Sequence, residues 1–268
     1  MCYINGVRVT LAEFIAYKQQ EKELKALMAS LNLNEIRKGF DYTEWPIIQP
    51  TFDGKDWNIV PMEWGFLPSY LKNREAVKNF RNGYKNAEGK WIAGITTLNF
   101  IGEELLEKPM YREAALNRRC LAISTGFFEH RHLPVMGKRG KPLATPEKFP
   151  YHITVKDRPY FFFPGIYNPW VDKESGEIVN TFCFGTTEAN GLMQQIHNSK
   201  NRMPVILTKE LAEEWTEPNL SPERIVEIAT YKIPANEMQA NLVPKNFLEQ
   251  ADPTTSCKDE RVPDLIYD

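Results

Sequence analysis

Between residues 10 and 31 the segment TLAEFIAYKQQEKELKALMASL sets apolar side chains at helical spacing against a face of Lys and Glu, which predicts an amphipathic helix. Beyond it the pattern changes. WPIIQP (45–50), WNIVPMEWGFLP (57–68), AGITTLNF (93–100), RCLAISTGFFEH (119–130), YHITVKDRPYFFFPGIY (151–167) and IVNTFCFGTTEA (178–189) are short, rich in Ile, Val, Thr and Phe, and punctuated by proline. They read as strands. Helical spacing returns in ANGLMQQIHN (189–198) and in TKELAEEWTE (208–217), the latter opening on Thr208 as a cap. Strands dominate the middle without regular strand–helix alternation, so the expected class is α+β, one mixed domain over 1–248, rather than a doubly wound sheet. From Glu249 to Asp268 the chain turns polar and charged and is expected to be a loosely held tail. HRHLPVMGKRGKPLATPEKF (130–149) reads as a long loop with a basic centre at Lys138, Arg139 and Lys141, either functional or a solvated insertion.

Composition narrows the class of protein. Hydrophobic residues make up 42% and charged residues 25%, an ordinary balance for a chain that buries a core. No apolar run reaches the length of a membrane span, and the start lacks the layout of a secretion signal. Cys2, Cys120, Cys183 and Cys257 form no CxxC pair, which fits free thiols in a reducing cytoplasm. A net charge of −2 argues against a protein basic all over, yet leaves room for a local basic groove. His130 and His132 have no third ligand nearby in sequence, so neither a metal nor another cofactor is expected.

One cysteine is oddly placed. Residue 2 is usually exposed and frayed, whereas an unpaired cysteine is usually buried. Four further stretches carry candidate chemistry: Asn99 at the end of TTLNF, Glu129 after the apolar run of STGFFEH, His197 close to Arg202 in QQIHNSKNRMPVIL, and Trp64 at a Gly–Pro turn in PMEWGFLPSY. Singly each has a plain reading: a surface carboxylate, a capping histidine, a core tryptophan.

Taken together and in order, they resemble the SRAP family (SOS response-associated peptidase), which shields abasic sites in single-stranded DNA by covalent attachment. The start Met1-Cys2 matches, as do Trp64-Gly65-Phe66-Leu67-Pro68, Arg119-Cys120 with Gly126-Phe127-Phe128-Glu129, Phe163-Pro164-Gly165-Ile166, and Thr186-Thr187-Glu188-Ala189-Asn190 followed by His197 and Arg202 through Leu207. Asn99-Phe100-Ile101-Gly102-Glu103-Glu104 matches loosely. Ile4 and Ile101 stand where the family has arginines, and four residues separate His197 from Arg202 where the family often has one.

The resemblance implies a predominantly antiparallel, barrel-like β core flanked by short helices. It also implies a monomer acting on single-stranded DNA that contains abasic sites. It assigns catalysis to Cys2, Asn99, Glu129 and His197. Arg202, with Lys108 and Arg112 behind it, would meet phosphates, and Trp64 and Pro46 would stack on or wedge between flanking bases.

The chemistry suits those residue types. With Met1 removed, Cys2 offers an α-amine and a thiol on adjacent carbons. An α-amine has a pKa of about 8 against about 10.4 for lysine, so far more of it is free base at neutral pH. Amine and thiol together can close a thiazolidine on the aldehyde of an opened abasic sugar. The runner-up is a peptidase using Cys2, as an N-terminal nucleophile or paired with His197. A single-strand binder without covalent chemistry, or a slow AP-lyase, are the remaining readings.

Overall fold

The structure, a computed structural model, describes residues 3–6, 36–51 and 57–267; the helix expected over 10–31 lies outside them. Two sheets organise what is described. The smaller is antiparallel throughout, in the order β14 (Met238–Leu242), β10 (Glu147–Val155), β9 (Gly126–Leu133), β1 (Ile4–Gly6) and β2 (Ile36–Lys38). The larger runs β11 (Phe161–Val171), β8 (Arg119–Ser124), β3 (Glu44–Pro50), β4 (Trp57–Trp64), β12 (Ile178–Glu188), and β11 pairs again with β12. Those five strands close on themselves, which abolishes their edges and gives the expected barrel. β7 (Asn99–Ile101) and β13 (Arg202–Pro204) add to the far end of β12. β5 (Tyr84–Lys85) and β6 (Trp91–Ile92) form a separate ribbon.

Closure follows from the strand sequences. β8 reads RCLAIS and is buried at every position, as a strand covered on both faces must be. Phe163, Phe184 and Trp64 stack in series, with ring centroids 4.6 and 5.3 Å apart. Trp45 meets Trp64 edge to face at 5.3 Å. Burial of such rings is the main source of stability here.

Two expected strands prove to be pairs. RCLAISTGFFEH breaks at Thr125, where the chain leaves the barrel (β8) and enters the smaller sheet (β9). YHITVKDRPYFFFPGIY breaks at the turn carrying Asp157, whose φ is 56°. A third ends early: β4 stops at Trp64 because Gly65 takes φ +142°, where a Cβ would lie 2.7 Å from the Tyr42 ring. Of AGITTLNF, only the last two residues join a strand, β7.

The two later expected helices form, α3 (Gly191–Ile196) and α4 (Lys209–Trp215), and the Thr208 hydroxyl accepts from Leu211 N as the cap requires. Three more appear: α1 (Arg74–Asn82), α2 (Pro109–Asn117) and α5 (Pro222–Ala229). Each opens on a local start signal, Asn73 capping α1, Pro109 starting α2 and Ser221-Pro222 starting α5. Arg119, buried, donates to the carbonyls of Ala115, Leu116, Trp215 and Glu217 and so satisfies the ends of α2 and α4 together.

The tail is held, not loose. Cys257 N donates to Leu242 O at 2.8 Å, Arg131 to Pro263 O at 2.6 Å, and Tyr267 Oη bonds both N and O of Ala240. Val262 and Leu265 pack on the main core, so its polar composition hid two apolar anchors.

Candidate functional site

β1 is a central strand, not an appendage. It pairs with β9 in the register Ile4↔Phe128, Asn5↔Phe127, Gly6↔Gly126, so its amino end points to the edge where Glu129 follows Phe128. Ile4 holds it there by packing, with Ile36, on the cluster Phe128, Val243 and Phe247. The position where the family carries an arginine is thus an apolar anchor. Cys2 itself lies outside the described residues.

Two of the expected catalytic residues, Glu129 and His197, belong to that strand or to the helix packed on it. Glu129 sits between β1 and β10, opposite Tyr151, and is 7% exposed. Burial drives its carboxyl pKa up to about 7, against the pull of the His130 backbone N–H. A carboxyl held there gives and takes protons at neutral pH.

His197 ends α3 and is 5% exposed. α3 packs on β9, and Asn198 clamps β9 from the same turn: its Oδ1 accepts from His132 N at 3.0 Å and its Nδ2 donates to His132 O at 2.8 Å. His197 Nδ1 lies 2.6 Å from Arg202 O. A carbonyl only accepts, so Nδ1 carries the proton. Burial lowers the imidazole pKa to about 4, so the ring is neutral at pH 7 and Nε2 is an acceptor or base. A neutral ring offers no positive charge to a phosphate.

Asn99 enters from the barrel side. Tyr3 O accepts from Gly39 N at 2.8 Å, and Gly39 packs so closely on Leu98 and Trp64 that a Cβ would lie 2.6 Å from the Leu98 side chain. Leu98 O in turn accepts from Trp64 Nε1 at 2.8 Å. Asn99 therefore follows a segment tied to the start of β1. It is 6% exposed, and among the described residues neither its Oδ1 nor its Nδ2 has a hydrogen-bond partner. Leaving an amide so costs roughly 1–3 kcal/mol, and such a cost is met where the group is kept for a ligand. Asn99→Ala should accordingly leave the melting temperature unchanged or raised, by up to about 1–2 kcal/mol of stability. A melt by circular dichroism checks it; a loss above that would make Asn99 a structural residue.

The expected DNA contacts fare differently. Trp64 is 1% exposed, stacked on Phe184 inside the barrel, and cannot meet a base. Pro46 is buried in β3 opposite Pro61 and cannot wedge a strand. Trp64 is core because its ring lies inside the closed barrel, and Pro46 because it falls in the buried run of β3 between β4 and β8. Arg202 is committed: its Nη2 donates to Glu103 Oε2 at 2.8 Å and to Thr186 O at 2.6 Å. It positions the His197 turn rather than standing open to phosphate. Lys108 is exposed and paired with Glu104 at 2.9 Å, and Arg112 is exposed on α2.

Glu103 is a residue the sequence did not single out. It binds Arg202, the Thr187 hydroxyl and Glu188 N. Burial works to raise its carboxyl, but these bonds and the Arg202 charge hold it below the usual carboxylate range. The signal was present in the loose Asn-Phe-Ile-Gly-Glu-Glu match, without anything to say which acid mattered. Ile101, at the other missing arginine, is 36% exposed at the end of β7, and nothing in the structure explains it. Among the described residues no cluster of three His, Cys, Asp or Glu is placed to hold a metal, and no helix is long and apolar enough to cross a membrane.

The family model SOS response associated peptidase (SRAP) matches residues 11–248. The chain belongs to the SRAP family. It is similar to the abasic site processing protein YoqW of Bacillus subtilis, 29% identical over 188 residues and 70% of each chain. It is also similar to the abasic site processing protein HMCES of Pongo abelii, 24% identical over 60% of this chain and 45% of that one. A crystal structure of a Bacteroides thetaiotaomicron protein covers 95% of this chain and 97% of its own, with 29% identity and a TM-score of 0.74. A Bordetella bronchiseptica protein at 16% identity and a TM-score of 0.63 shares the SRAP fold.

Proposed function

We propose that this protein processes abasic sites in single-stranded DNA by joining them covalently to Cys2. After Met1 is removed, the Cys2 amine attacks the open sugar's aldehyde and water leaves to give an imine. The thiol then adds to the imine carbon, its proton passes to nitrogen, and a five-membered thiazolidine results. Glu129 relays the protons of sugar opening, dehydration and reversal. His197 Nε2 accepts a sugar hydroxyl proton, and Asn99 supplies the amide that orients amine or sugar.

The observation that carries this reading is Glu129: a buried carboxyl with its pKa near 7, at the sheet edge to which β1 directs the chain's amino end. The other cysteines supply no rival nucleophile. Cys120 and Cys183 are buried, and burial pushes both thiols up; Cys257 is raised as well, first by partial burial.

The test is a denaturing gel of the protein with a single-stranded oligonucleotide bearing one abasic site. A heat-stable band of protein plus DNA is expected, from a chain whose intact mass lacks one methionine. Cleavage of a peptide with no such band would favour the Cys2 peptidase instead.

A further inference from the structure

The loop expected over 130–149 is in fact the outer half of the β9–β10 hairpin. Beyond the strand ends it continues through the Met136↔Pro142 bridge, with Leu143 N donating to Val135 O at 2.8 Å. It closes in a turn where Gly137 N donates to Lys141 O and Gly140 N to Gly137 O, both at 2.9 Å. The arm is therefore a built element, and its base is the strand that carries Glu129.

Its charge is one-sided. Residues 130–149 contain five cations, Arg131, Lys138, Arg139, Lys141 and Lys148, and one carboxylate, Glu147. Glu147 is already taken by Lys245 and Arg261 at the base. Several exposed cations elsewhere are matched to carboxylates, as in Lys108–Glu104, Arg74–Glu177 and Lys232–Glu188. Lys138, Arg139 and Lys141 are exposed at the tip and form no ion pair among the described residues. In a chain of net charge −2, such a cluster marks where a polyanion is met. Met136 and Leu143 flank it at 60% and 55% exposure, an apolar surface that the bases of an unpaired strand can cover.

We infer that the β9–β10 hairpin is a DNA arm. Lys138, Arg139 and Lys141 hold the backbone of the single strand on one side of the lesion, up to roughly 30 Å from Glu129 at the strand's rise per residue. This rests on the proposed reading of the site for its choice of polyanion. The arm adds affinity and register and takes no part in the chemistry.

The test compares wild type with the triple variant Lys138→Ala, Arg139→Ala, Lys141→Ala, after a thermal melt shows both folded. Binding to an undamaged single-stranded oligonucleotide is titrated across a salt series. Each lost phosphate contact flattens the slope of log K against log salt by about 0.7 for single strands, so the variant's slope should be shallower by about 2. The variant should also lose affinity at low salt, while its adduct yield on saturating abasic oligonucleotide matches wild type. An unchanged slope overturns the arm. Because binding is read on undamaged DNA, a wild type that forms no adduct would overturn the crosslinking reading and leave the arm's result standing.

Discussion

Cys2→Ala should leave no heat-stable adduct on an abasic oligonucleotide, a loss of at least a hundredfold on the gel, with undamaged single strand still bound. The variant keeps an α-amine and so keeps the first step. What it loses is the sulfur that closes the ring. An intramolecular thiol acts at effective molarities of about 10⁵–10⁸ M, which is why a reversible imine becomes a durable product only when Cys2 is present. Without it the imine hydrolyses back. Cys2→Ser separates the two steps: borohydride should trap its imine, and heat without borohydride should release the DNA. If Cys2→Ala forms the adduct as wild type does, a lysine is the nucleophile and the thiazolidine reading fails. A chain that retains Met1 and still forms it fails the reading equally, since Cys2 would then have no free amine.

Glu129→Gln should slow both formation and release of the adduct by roughly 10²–10⁴-fold, the usual worth of a positioned proton relay. Affinity for an undamaged strand should stay close to wild type. The wild-type rate should change with pH about the Glu129 pKa of about 7, and the variant should lose that inflection.

Stability gives an independent check with a definite sign. The carboxyl ionises near 4.5 when solvated and at about 7 when folded. Between those values the folded chain holds the proton that the unfolded chain has released, so stability falls as pH rises across this window. The loss amounts to about 3 kcal/mol and then stays constant above pH 7. Glutamine never ionises. The variant should therefore melt above wild type at pH 8 and close to it at pH 5. Wild-type rates in both directions, or no change in the stability difference with pH, would remove Glu129 from the mechanism.

Much of this site is written in the order of short motifs, and the β core in the runs of Ile, Val, Thr and Phe. Local signals sufficed for the α+β class, for the Thr208 cap, and for Asn99, Glu129 and His197 as the polar residues that stand out against apolar runs. Those features depend on neighbours within a few residues, which is the range over which pattern and capping act. Three-dimensional neighbours decided the rest. The family resemblance sets Trp64 and Pro46 among the bases, yet closure of β11 on β12 puts the Trp64 ring inside the barrel and Pro46 is buried within β3. Arg202 looks like a phosphate contact until Glu103, distant in sequence, takes its guanidinium. Whether His197 carries charge is set by burial, which lowers its pKa and keeps the ring neutral against the pull of the Arg202 carbonyl. The tail reads as solvated, yet Val262, Leu265 and Tyr267 find partners on strands formed far upstream. Burial, closure and long-range pairing set each of these outcomes, and they belong to the folded surface rather than to any stretch of the chain.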